Sequence, residues 1–270
     1  LRGGGRAALT HRLLDKASEW SLVLLIVIAA AALRFAALGG VPPGLYRDEA
    51  HNGLDAAQVL RGETPVFFEA NNGREPLFIY LVAAAVAVMG RTPAAVRIVA
   101  AILGTLTVPA TYFLFRALYG RSVALLGAAT LAITVWPVQL SRIGFRAVAL
   151  PLLTALALWQ LWAGARTGKG WRFALAGALY GLSFYTYLAA RFTPLALLAW
   201  LILRGRRQGP PIRWRNLLIF VGAALVILAP LAAYVVGHWA SFTERAGQVS
   251  VFNPAIHGGD PWGTLARHVV

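Results

Sequence analysis

Arg47-Asp48-Glu49-Ala50-His51-Asn52, directly after the first long apolar run, is the stretch on which the reading of this chain turns. Two carboxylates, an imidazole and an amide arrive together in a sequence that is otherwise apolar and basic. Six of the ten acidic residues lie between Asp48 and Glu75, and none occurs from Pro76 to Thr243. The chain around this island is 59% hydrophobic and 13% charged, about half the charge of a soluble domain. Apolar runs of about 20 residues, the length that crosses a bilayer core, recur along it. The expected fold class is therefore all-α, a polytopic membrane protein. A net charge of +15 would suggest nucleic acid in a soluble protein. Here the arginines cluster in short loops between apolar runs, so they read as topology signals and phosphate ligands, and no nucleic-acid partner is expected. The absence of cysteine excludes disulfides, thiolate catalysis and cysteine-bound zinc.

The spanning candidates are Trp20–Leu38, Ala94–Phe115, Val123–Leu140, Ala147–Ala163, Phe173–Ala189 and Leu217–Val236, with the shorter Phe192–Leu203 as a seventh. No small-residue cleavage site follows the first of these, which reads as a retained span. Pro76–Gly90 is ambiguous, because about 14 apolar residues suit an interfacial or re-entrant helix better than a crossing. Charge arbitrates. With the basic tail at 1–19 cytoplasmic and Pro76–Gly90 not crossing, Arg116/Arg121, Arg166/Lys169/Arg172 and the Arg204–Arg215 group all fall inside. A crossing at Pro76–Gly90 would translocate that last, most basic loop, against the positive-inside rule. The expectation is about seven transmembrane helices within 20–236, juxtamembrane helices in an outside loop at 39–93, and an outside segment at 237–270 of a chain that continues past Val270.

Within the outside loop, Gly39-Gly40-Val41-Pro42-Pro43-Gly44 breaks the first helix. Asp48 then falls in a helix N-terminal turn, where the dipole favours a carboxylate. From there to Leu60, Ala50, Leu54, Ala57 and Leu60 recur at helical spacing, with Asp48, Asn52 and Asp55 on the other face. This describes a short surface helix with its polar face turned away from lipid. Asn71-Asn72-Gly73 is a turn, and Glu75-Pro76 opens a second, more apolar helix.

Asp48 and Glu49 are the candidate catalytic pair, since a carboxylate at the membrane boundary can deprotonate an acceptor hydroxyl or amine. The plainer reading is a solvated loop charge. Asp48-Glu49-Ala50-His51 also spells a helicase box, but no Gly-x4-Gly-Lys-Ser/Thr precedes it, so that match is a coincidence. Arg74 would fork onto a phosphate, or else snorkel beside Glu75. Arg142 and Arg146, at i and i+4, would share a helical face and need an anion there. Arg97 and Arg191 are weaker candidates, and Arg34 reads as an interfacial anchor. Tyr180, Tyr185 and Tyr187 fit an aromatic belt or a groove lining. His51, Asn52 and Glu75 complete the supporting set. No cofactor is expected; a divalent ion between a lipid phosphate and Asp48, Glu49, His51 and Glu75 is the alternative, although no zinc spacing is present.

These residues resemble a family. Leu45-Tyr46-Arg47-Asp48-Glu49-Ala50 after one span, Glu75-Pro76-Leu77 before a short helix, Ala95-Val96-Arg97, Leu118-Tyr119-Gly120-Arg121 and Pro137-Val-Gln-Leu-Ser141-Arg142 look like the GT-C membrane glycosyltransferases of family 39. That group holds the protein O-mannosyltransferases and lipid A aminoarabinose transferases. The resemblance implies inverting sugar transfer from a polyprenyl-phosphate donor at the outer face of the cell (inner or plasma) membrane, to an acceptor it does not specify. It places the base on Asp48 and a donor-phosphate contact on Arg74. The mechanism expected from these residues is a single displacement in which Arg74, with Arg142 or Arg146, neutralises the leaving phosphate. Glu75 departs from the family, standing where the first proline of a Pro-Pro-Leu motif is usual. Two other classes fit the composition: a flippase or transporter of lipid-linked sugars, which would show inverted repeats that are not found, and a non-catalytic membrane scaffold.

Overall fold

A computed structural model describes residues 3–71, 73–205, 212–240 and 253–269. Part of the outside segment expected at 237–270, including Glu244, lies outside these residues, as do Asn72 and half of the Arg204–Arg215 connection. Among the described residues the chain is helical apart from one isolated bridge between Phe68 and Arg74. The elements are α1 (Gly3–Phe35), α2 (Arg47–Val59), α3 (Leu77–Met89), α4 (Pro93–Tyr119), α5 (Arg121–Ile133), α6 (Val135–Arg142), α7 (Ala149–Thr167), α8 (Gly170–Ser183), α9 (Thr193–Gly205) and α10 (Trp214–Gly237). Short 3₁₀ turns at Arg146–Val148 and Leu188–Phe192 precede α7 and α9.

Among the described residues four helical stretches are long and apolar enough to cross a bilayer, at Ala17–Phe35, Pro93–Tyr119, Arg146–Thr167 and Trp214–Gly237. The span expected at Val123–Leu140 is instead a pair, α5 and α6, bent by 53°. Pro137 explains the bend. It lacks the N–H that would bond Ile133 and its ring crowds that carbonyl, so the helix breaks at Thr134, which is extended (ψ 127°). The span expected at Phe173–Ala189 also stops early, at Ser183, and the chain turns through Tyr187 before α9.

α3 is shorter than the four spanning-length helices. Arg97, in the second turn of α4, meets Glu49 of α2, so α4 starts at the end of the bundle where α2 lies. At its far end Arg116 meets Glu19, which also accepts from the Tyr112 hydroxyl and so ties α1, α4 and the start of α5 together. The juxtamembrane character expected of Pro76–Gly90 thus agrees with the geometry of a 13-residue helix about 20 Å long.

α8 and α10 approach closely because Gly177 and Gly181 face the α10 backbone. A Cβ on Gly177 would lie 2.1 Å from the Phe220 carbonyl oxygen. Small residues let helix backbones touch in this way, where lipid offers no hydrophobic drive. Further along, Pro230 interrupts α10, and the Tyr185 hydroxyl enters the gap: it donates to the Ile227 carbonyl (2.8 Å) and accepts from the Leu231 N–H (3.2 Å). The Tyr185 backbone carbonyl accepts from Leu77 N–H (2.9 Å), joining the same residue to α3.

Candidate active site

α2 begins as the sequence predicts, one residue before Asp48, and the Glu49 carboxylate reaches back to accept from the Tyr46 N–H (2.8 Å). Its apolar side, with Ala56, packs on Phe78, Val82, Val96 and Val99 of α3 and α4. Its polar face does not meet water. Glu49, Asn52 and Asp55 are buried, whereas Leu54 and Leu60 are exposed on the outside of the bundle. The inversion follows from what lies beneath: arginines from four other segments.

Glu49 and Arg97 form a closed fork, Arg97 Nε to Oε1 at 2.7 Å and Nη2 to Oε2 at 3.2 Å. The remaining Arg97 hydrogens go to the carbonyls of Leu38 (3.1 Å), Pro42 (2.9 Å) and Gly44. The Gly/Pro break after α1 is thereby wrapped around one guanidinium. Glu49, expected as half of a catalytic pair, is 1% exposed and committed to this fork; its geometry is that of a positioning residue.

Arg74 is held at the end of a small hairpin, where Phe68 and Arg74 exchange backbone hydrogen bonds of 3.0 and 2.7 Å. Asn71 adopts the left-handed conformation (φ 54°) that the turn requires. Arg74 pairs with Asp55, and donates to Asn52 Oδ1 (3.4 Å) and the Ala70 carbonyl (3.2 Å). It is fully buried, so the phosphate contact expected of it is occupied by Asp55. Burial pushes the Asp55 carboxyl above its usual range, only partly opposed by Arg74 and His51. Burial likewise lowers Arg74, aided by repulsion from Arg146 and opposed chiefly by Asp55. His51 is half-buried beside this pair.

Arg142 and Arg146 do not share a face. Ile143-Gly144 ends α6, and Gly144 takes φ 58°, so the i, i+4 relation is lost. A side chain on Gly144 would also meet Val96 and Glu49, and its carbonyl accepts from Asn52 (3.2 Å). Arg142 caps the end of α1, donating to the carbonyls of Leu33 (2.8 Å) and Val41 (3.1 Å), away from α2. Arg146 turns inward. It lies 3.6 Å from Glu75, with its guanidinium 5.3 Å from the Tyr187 ring centre. Glu75 also receives Arg191 at 3.3 Å, from the 3₁₀ turn after the early stop of α8. Arg34, expected as an interfacial anchor, is buried and donates to the carbonyls of Leu131 and Ala132 that the α5 break leaves open.

Asp48 differs from the other island acids. Glu49, Asp55 and Glu75 are buried against arginines, Glu63 lies near Arg61 at the surface, and Glu69 accepts from Tyr234. Half-buried Asp48 accepts from the Asn71 amide (3.2 Å) and has no ion pair among the described residues. Nearby, an open apolar groove of about 370 Å³ runs between the hairpin, α3, α8 and α10, lined by Pro65, Pro76, Tyr80, Tyr185, Ile227 and Pro230 among others. Among the described residues no three His, Asp or Glu side chains converge as metal ligands.

A helical bundle with spanning-length apolar helices and a buried charged site at one end is an integral membrane protein. The family described as dolichyl-phosphate-mannose-protein mannosyltransferase matches residues 73–236, and the chain belongs to it. The fold is similar to that of the protein O-mannosyltransferase Pmt1-Pmt2 complex of S. cerevisiae, solved bound to the sugar donor. The TM-score is 0.62 at 23% identity, over 84% of this chain and 34% of that one. This chain therefore spans about a third of that protein. No curated protein matches it in sequence.

Proposed function

We propose that this chain is the catalytic module of an inverting glycosyltransferase, moving a sugar from a polyprenyl-phosphate donor to an acceptor at the non-cytoplasmic face of the cell membrane. The observation that carries the reading is Asp48, a half-buried carboxylate held by one amide while its acidic neighbours are taken up by arginines or a tyrosine. A general base must be reachable and held in place, and Asp48 meets both conditions.

The reaction is a single displacement. As the acceptor oxygen or nitrogen forms its bond to the anomeric carbon, Asp48 takes the acceptor proton. The bond from that carbon to the phosphate oxygen breaks, and the phosphate leaves with the electron pair. The negative charge that gathers on the phosphate is met by arginine. Arg146 and Arg191, whose side chains are 12% and 21% exposed, suit this role better than buried Arg74 or the helix-capping Arg142. Glu49 and Asn52 position α2, and Arg74 with Asp55 fixes the hairpin that carries Asn71. The apolar groove beside Pro76 takes the isoprenoid tail. The orientation rests on charge: the Glu19, Arg116 and Arg121 end continues into the basic loops and is placed in the cytoplasm.

The test is transfer of labelled sugar from a polyprenyl-phosphate donor by the chain in nanodiscs, offered peptide, lipid and glycan acceptors. Asp48→Asn is expected to reduce turnover by roughly 10²–10⁴-fold. Full turnover by this variant would remove Asp48 as the base.

A further inference from the structure

Among the described residues Asp48 is held by one amide, Asn71 Nδ2 at 3.2 Å. A carboxylate held in this way is placed only as well as the turn that carries the amide. That turn is the tip of the hairpin, where Asn71 takes φ 54° and the Gly73 N–H donates to the Glu69 carbonyl (3.1 Å). One tie on the tip comes from α2, through Arg74, which pairs with Asp55 and donates to the Ala70 carbonyl. A second comes from α10. The Tyr234 hydroxyl donates to Glu69 Oε1 at 2.5 Å, while its ring packs on Phe67 (centroids 5.6 Å apart) and stacks with His238 (4.3 Å). Tyr234 lies one turn beyond Pro230, past the opened turn that the Tyr185 hydroxyl enters. Glu69 is exposed, and a hydrogen bond in reach of water contributes little to global stability. Its effect is local: it fastens Glu69, two residues before Asn71, to a helix far along the chain.

We propose that Tyr234 is a positioning residue for Asp48: through Glu69 it sets the hairpin tip, so that Asn71 holds Asp48 where the acceptor proton can be taken. The inference rests on the transferase reading above and deepens it. Proton abstraction is demanding in geometry, because the base must lie within about 2.6–3.2 Å of the atom that gives up the proton. A hairpin tip tied to α2 alone could pivot about Arg74 and carry Asn71 with it. The tie to α10 removes that freedom. α10 then serves both ends of the reaction: Ile227 and Pro230 line the apolar groove, and Tyr234, a turn further on, orders the base.

Tyr234→Phe removes the hydroxyl and keeps the ring. In nanodiscs, with labelled sugar on a polyprenyl-phosphate donor, it should lower kcat per folded molecule by about three- to tenfold, the scale of one hydrogen bond, and leave donor KM within about twofold. The comparison that separates positioning from general stability is made in the Asn71→Ala background, where the path to Asp48 is already cut. There Tyr234→Phe should change kcat by less than about twofold. Parental kcat in Tyr234→Phe, or an equal loss in both backgrounds, overturns the proposal. From the other partner, Glu69→Leu and Glu69→Gln both remove the charge, but the Gln amide oxygen still accepts a hydrogen bond. Glu69→Gln should therefore keep more of the parental kcat than Glu69→Leu, and equal loss overturns the role. Glu69 is exposed, so this pair carries the test should Tyr234→Phe fail to fold. Hydrogen exchange gives a readout that needs no turnover: Tyr234→Phe should speed exchange at the Gly73 and Arg74 amides and leave Leu231 as it is. Unaltered exchange at Gly73 and Arg74 overturns the tie. If the parent chain transfers no sugar, the transferase reading falls and the positioning role falls with it. Transfer by the parent with no loss in the variants refutes the positioning role alone.

Discussion

Asp48 and Glu49 are adjacent in sequence, and their substitution should separate chemistry from folding. Glu49→Ala removes the carboxylate that forks onto an Arg97 that is wholly enclosed. The guanidinium keeps the carbonyls of Leu38, Pro42 and Gly44 but loses both charged contacts, at 2.7 and 3.2 Å. Breaking a buried pair by removing one partner costs about 3–5 kcal/mol. Much of this falls on the 38–46 segment, so α2 should loosen from α4 before the spanning helices separate. Replacing both partners, Glu49→Leu with Arg97→Met, removes the stranded charge. It should recover part of the loss, but not all, because three carbonyls then lose their donor. Asp48→Asn leaves the Asn71 amide an acceptor oxygen, so its stability should stay within about 0.5 kcal/mol of the parent. Reversible unfolding in mixed detergent, followed by circular dichroism, measures each loss, and turnover is read on the same preparations. A Glu49→Ala variant with parental stability and no activity would refute the positioning role and return Glu49 to the chemistry.

Four further outcomes follow from the geometry. Arg142→Ala should lower stability by about 1–2 kcal/mol through two lost hydrogen bonds, to Leu33 in the last turn of α1 and to Val41 in the break after it, with donor KM unchanged; a raised KM would reinstate it as a phosphate ligand. Because burial raises Asp55 above the ordinary carboxylate range, the folded state holds its proton more tightly than the unfolded chain does. The contribution is present below the unfolded value and is lost as pH rises through the folded one. Unfolding from pH 7 to pH 4 should therefore show the parent gaining on Asp55→Asn as pH falls; a difference that is flat with pH contradicts this. Gly177→Ala should weaken the α8–α10 contact by roughly 1–3 kcal/mol, seen as a lower Tm, because its Cβ meets backbone at 2.1 Å. Tyr185→Phe should cost about 1–2 kcal/mol, with faster hydrogen exchange at Leu231 if its hydroxyl is the partner described.

The fold class was legible because apolar run length and loop charge are properties of composition and order, which a sequence carries in full. α2 and the short α3 were legible for the same reason, through periodicity and length. The breaks were less so. Pro137 in the expected third span was visible, yet a proline at that depth either kinks or is absorbed, and neighbours decide which. The site was legible as a set of residue types but not as a set of pairs. Nothing in Arg47-Asp48-Glu49 says that Glu49 points at Arg97, 48 residues away, while Asp48 does not. Arg74 and Arg142 look alike in sequence to Arg146, and they are distinguished only by which partner reached them first, Asp55 or the end of α1. The signal that would have promoted Arg97 and Arg191 is that each interrupts an apolar stretch near a helix start, where a cation needs an inward partner.

Tyr185 has a consequence for how this chain can vary. Its carbonyl is fastened to the Leu77 amide and its hydroxyl to the opened turn of α10, while six residues later Arg191 must arrive at Glu75. Both ends of that short passage are anchored to different helices, so it has a single permissible length. Adding or deleting one residue between Ser183 and Arg191 would uncouple the hydroxyl from α10 or the guanidinium from the site. Change by substitution is open there, and change by insertion is closed.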